Sequence, residues 1–72
     1  MSEITRIKEN TRKILEAMYG MFLYQSLKIT YHERLDENRI KVSGSFQDWE
    51  NKSHTYEIIF DNYFNALRSK ID

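Results

Sequence analysis

Cysteine and proline are absent, glycine occurs only twice, and the longest apolar run is the four-residue segment 21–24. Without cysteine there is no disulfide framework, no thiolate metal site and no cysteine nucleophile. Gly20 and Gly44 stand alone and form no phosphate-cradling loop. No stretch is long enough to span a bilayer as a helix, and the charged start reads as no secretory signal; a cytoplasmic location without membrane partners is expected. An excess of either charge is missing too: eleven Lys and Arg balance eleven Asp and Glu. That balance argues against a strongly basic nucleic-acid arm or an acidic tail, while leaving room for a local patch. Nothing resembles a linker or a repeat, so the 72 residues are expected to form one ordered domain, 1–72. A core of this size is marginal by itself, and self-association would support it.

What is present is a change of period along the chain. Ile4, Ile7, Thr11, Ile14, Leu15, Met18 and Phe22 recur in steps of three and four, which predicts an amphipathic helix. Ser2 is its N-cap and Gly20 marks its end. From Leu23 the period becomes two, with Leu27, Ile29, Tyr31 and Leu35 on one side and Ser26, Lys28, Thr30, His32 and Arg34 on the other. Asp36, Glu37 and Asn38 signal a turn. Alternation then resumes with Ile40, Val42, Gly44 and Phe46 inward. A loop of Glu37 and Asn38 would pair Leu35 with Ile40, Tyr31 with Gly44 and Ile29 with Phe46, and Tyr31 would cover the gap beside Gly44. In that register Glu33 falls awkwardly on the apolar side.

A second turn at 50–53 leads to a strand over 54–61 with Tyr56, Ile58 and Phe60 inward and Ile59 outward. The last segment suits a short helix capped by Asp61, with Phe64, Leu67 and Ile71 on one face; read as a strand, it would turn Leu67 and Ile71 inward. The expected class is α+β: an N-terminal helix, a three-stranded antiparallel meander and a C-terminal helix, with α-β-β-β-β as the alternative. The inner sheet face is expected to pack on Ile7, Ile14, Leu15 and Met18.

The residues that carry chemistry are sparse. His54 could face Asp48 across a three-residue loop, but a catalytic role needs a third group that local spacing does not supply. His32 reads as a solvated histidine, and His32, His54, Asp48 and Glu50 lack metal-ligand spacing. The carboxylate pairs Asp36/Glu37 and Asp48/Glu50 flank turns, where acidic side chains serve the backbone. No catalytic site, cofactor, metal or small-molecule substrate is therefore expected. Two surfaces remain. Lys28, His32, Arg34, Arg39 and Lys41, with Trp49 beyond them, would form a basic outer sheet face suited to nucleic acid. Tyr19, Tyr24, Trp49, Tyr63 and Phe64 lie near element ends and exceed what a small core can hide; Tyr24, Trp49, Tyr63 and Phe64, with the outward Ile59, suit a protein interface. The leading expectation is a non-catalytic protein-binding module acting as a homodimer; nucleic-acid binding is the alternative.

Overall fold

The computed structural model describes residues 2–72. Helix α1 spans Glu3–Met18, followed by β1 (Leu23–Asp36), β2 (Arg39–Gln47), β3 (Ser53–Asp61) and β4 (Ala66–Ile71). The four strands form one antiparallel sheet in chain order, and α1 packs on one face of it. Among the described residues no helix is long and apolar enough to cross a membrane.

Ser2 caps α1, its hydroxyl accepting the Thr5 N–H. The apolar stripe follows: Ile7 and Leu15 are fully buried and Ile14 packs against the core's edge, whereas Met18 stays 46% exposed beyond the sheet's cover. Thr11 is fully buried on the same stripe, and its hydroxyl has no hydrogen-bond partner. Removing that desolvated group without changing its shape should help, so Thr11→Val is expected to stabilise the domain by about 1 to 2 kcal/mol in urea titration.

The C-terminal segment is a strand, not the preferred helix. Asp61, expected as a helix cap, instead accepts the N–H groups of Tyr63 and Asn65 at 2.8 and 2.9 Å, closing a turn. Within it Phe64 takes a left-handed φ of 61°, which no right-handed helix can include. Ile71 then packs against the core, while Leu67 sits at a ladder irregularity and is exposed, contrary to the strand alternative's inward placement.

The first hairpin has the expected two-residue turn, since Asp36 pairs with Arg39, but the register beyond it differs. Ladder shifts place Arg34 opposite Ile40, His32 opposite Val42, Tyr31 opposite Ser43 and Ile29 opposite Gly44. Directly opposed residues share a face. One extra residue at Leu35 therefore swings Glu33 and Tyr31 to the outer face, and a second at Thr30 returns Ile29 to the core. His32 and Arg34 move to the helix side. The shifts remove Glu33 from the apolar side, and the bulged edge strand resists pairing with strangers.

β2 and β3 pair without irregularity, and Val42, Phe46, Ile58 and Phe60 fill the centre. Tyr56, not Tyr31, occupies the gap at Gly44: its ring crosses that glycine and its hydroxyl donates to the Lys28 carbonyl at 2.8 Å. Burial pushes the Tyr56 phenol pKa upward, which keeps the donor protonated.

Candidate functional site

α1 ends in a left-handed glycine, Gly20 at φ 102°, while the N–H groups of Tyr19 and Gly20 bond back to Leu15 and Glu16. The chain then turns into β1. Phe22 goes inward onto Phe46, with ring centroids 4.9 Å apart, and Met21 goes outward.

The β2–β3 loop beside this corner is built around Asp48. Its Oδ1 accepts the N–H groups of Glu50 (2.8 Å) and Lys52 (3.0 Å). Its Oδ2 accepts the Tyr19 hydroxyl at 2.9 Å and lies 2.9 Å from His54 Nε2. Tyr19 Oη and His54 Nε2 are themselves 3.1 Å apart. The Asp48–His54 contact anticipated from the sequence is thus present, although His54 pairs with Phe46 and the loop is longer than expected. Tyr19 stands out in the sequence only as a surplus aromatic at an element end; its bond to Asp48, 29 residues away, follows from no local pattern.

The hydrogen bond from His54 holds the Asp48 carboxyl well below the usual range against its burial, helped by the Lys52 amide, the Tyr19 hydroxyl and the Glu50 amide. The Tyr19 phenol is raised, chiefly by its hydrogen bond to Asp48. Tyr19 thus remains a protonated donor and Asp48 an ionised acceptor. This arrangement clamps the loop to the end of α1.

A carboxyl whose folded pKa is depressed stabilises the fold fully above its unfolded pKa and loses that contribution as pH falls. Asp36 and Asp61 are lowered also, first by the N–H groups of Asn38 and Asn65 respectively. Thermal stability is therefore expected to fall progressively below about pH 5. Asp48→Asn should flatten that acid limb more than the same change at Asp36 or Asp61, as followed by circular dichroism melts from pH 7 to 3.

With Asp48 turned inward, its neighbour Trp49 is thrown out and stays 63% exposed. Trp49 and Tyr24 line an apolar groove of about 520 Å³, together with Phe22, Leu23 and Gln25. The Tyr24 ring is steadied by Lys8 and Arg12, one helical turn apart, at 5.6 and 5.4 Å from its centroid. Met21, 77% exposed, adjoins the groove in sequence.

The other anticipated interface residues lie elsewhere. Ile59 is half-buried on the outer sheet face, and Tyr63 projects from the β3–β4 turn. Phe64 folds back onto Phe60 with centroids 5.7 Å apart.

The anticipated basic face is also redistributed. Lys28, Arg39 and Lys41 are on the outer face, but His32 and Arg34 are on the helix side, and Trp49 belongs to the groove. Arg39 pairs with Asp36 at 2.8 Å and Lys41 with Glu57 at 3.6 Å. Arg68 and Lys70 join the outer face through β4, opposite Ile59 and Glu57. Alternation through Arg68, Ser69, Lys70 and Ile71 was the available signal for them. Among the described residues no group of three His, Asp or Glu side chains is placed to hold a metal ion. Models of known families, curated proteins and solved structures offer no match to this chain.

Proposed function

We propose that this domain is a non-catalytic protein-binding module that self-associates through the end formed by Met21, Tyr24 and Trp49. The observation that carries this reading is the apolar groove lined by Tyr24 and Trp49, whose indole is mostly exposed although hydrogen bonds to Asp48 tie down its loop. Large aromatic and Met side chains on a pre-organised surface are what interface cores are made from. The surface also suits a two-fold arrangement: Met21, an exposed apolar side chain, directly precedes Phe22 and Leu23 of the groove in the chain. A second copy, rotated about a dyad, would offer each Met21 to the other's groove, the reciprocal contact that closed dimers require.

Trp49 is the only tryptophan, so its fluorescence reports on this surface alone. Its emission should be blue-shifted at high protein concentration and move to longer wavelength on dilution, with a midpoint that Met21→Ala raises by about tenfold or more. Emission independent of concentration in the native chain would contradict the reading.

A further inference from the structure

At the opposite end of the meander two arginines from different elements converge. Arg6 of α1 and Arg34 of β1, with Glu3, Ile40, Asn62 and Phe64, line a cavity of about 280 Å³. Both side chains are oriented by neutral groups. Arg34 Nη1 donates to Asn62 Oδ1 at 3.1 Å and to the carbonyls of Glu37 and Asp36 at 3.4 and 3.5 Å. Asn62 in turn donates to the Glu37 carbonyl at 2.7 Å, tying the β1–β2 turn to the β3–β4 turn. The Arg6 guanidinium lies over the Phe64 ring, 5.4 Å from its centroid.

Phe64 is held in a left-handed conformation that a bulky side chain rarely adopts. The turn built on Asp61 maintains it, and the result is an aromatic wall under Arg6. Among the described residues no carboxylate lies within 4.0 Å of either guanidinium, whereas Arg12 and Arg39 are each paired with an acid. Two oriented guanidinium groups thus share a cavity with their charges unpaired.

The lining selects among anions. Arg6 and Arg34 carry two positive charges and Glu3 one negative, so a single negative charge balances the cavity and a phosphate dianion overshoots it. A planar carboxylate matches the donor fork of a guanidinium, and Ile40 and Phe64 provide apolar wall beside it. The geometry points to a binding site for a carboxylate carried next to an apolar group, as at a peptide C-terminus or in a small organic acid. This site is independent of the Trp49 groove.

The test is an NMR titration of the ¹⁵N-labelled chain with four probes: N-acetyl-leucine, its neutral amide, inorganic phosphate, and a hexapeptide ending in leucine with a free carboxylate. Both carboxylates should produce saturable shifts at residues 34, 40 and 62–64, and the amide should produce none. Binding should weaken about tenfold or more in Arg34→Gln and in Arg6→Gln, and Arg34→Lys should not restore it. Glu3→Gln, which removes the competing charge, should strengthen it. A peptide bound at least about tenfold more tightly than N-acetyl-leucine assigns the site to chain ends, and equal affinities assign it to small acids. Absence of saturable shifts with both carboxylates, equal binding of the amide, tighter binding of phosphate, or unchanged binding in a folded Arg34→Gln would each overturn the proposal.

Discussion

Replacing Gly44 by alanine should unfold most of the domain. A Cβ at this position would collide with the Lys28 carbonyl oxygen and lie 2.5 Å from the Tyr56 hydroxyl oxygen and 2.8 Å from Cζ of its ring. The first obstacle is backbone, so β1 must move away from β2 or the Tyr56 ring must leave the core together with its hydrogen bond. Such overpacking costs about 3 to 5 kcal/mol, comparable with the whole stability of a domain this size. The melting temperature should drop by about 15 °C or more at fixed protein concentration. Gly20→Ala is the informative control. Nothing lies within 4 Å of its added Cβ, and only the φ of 102° opposes it, so the loss should be about 1 kcal/mol. Pairing Gly44→Ala with Tyr56→Leu should not restore the fold, because the carbonyl remains in place.

Phe46→Ala should cost about 4 kcal/mol in urea titration, the middle of the range for truncation of a buried aromatic. Phe46 is fully buried, and it does more than fill space. Its ring stacks on His54 at 5.2 Å and meets the edge of Tyr19 at 5.4 Å, so it supports two of the three side chains in the Asp48 clamp. Its loss should therefore loosen the loop that presents Trp49. In the folded fraction, amide exchange at residues 48–52 should accelerate more than at the β1–β2 turn, which Asn62 holds independently.

Much of this architecture was legible in the sequence. Ser2, Ile7 and Leu15 announce the helix, and the unbroken alternation of Ile40, Val42, Gly44 and Phe46 announces a strand whose residues do point inward. The register of β1 was not legible, because inserting single residues at Leu35 and Thr30 leaves a locally normal alternation while exchanging faces between them. Glu33 on the apolar side was the one symptom. The last strand was obscured for another reason. Asp61 is as good a helix cap as a turn former, and the choice depended on the backbone of Phe64 and on pairing with β3.

Site residues show the same division between local and distant effects. Asp48 and His54 flank one turn and could be brought together from their spacing, whereas Tyr19 reaches them only because α1 ends over that turn. Similarly, Tyr24 and Trp49 were both recognisable as surplus aromatics, but their shared groove exists because Asp48 faces inward and directs its neighbour out. Arg34 changed role outright. The bulge at Leu35 carried it from the outer face to the cavity it shares with Arg6.

The most direct test of the self-association reading is sedimentation equilibrium of the native chain and of Trp49→Ala, each over a hundredfold range of concentration at moderate and high salt. The native chain should pass from the mass of one copy to that of two, with little dependence on salt because the contact is apolar. Trp49→Ala should need about thirtyfold more protein to do so, the loss of one central aromatic anchor. A native chain that keeps the 8.8 kDa mass of a single copy throughout, or a dimer unaffected by Trp49→Ala, would contradict the assignment of this groove as the self-association surface.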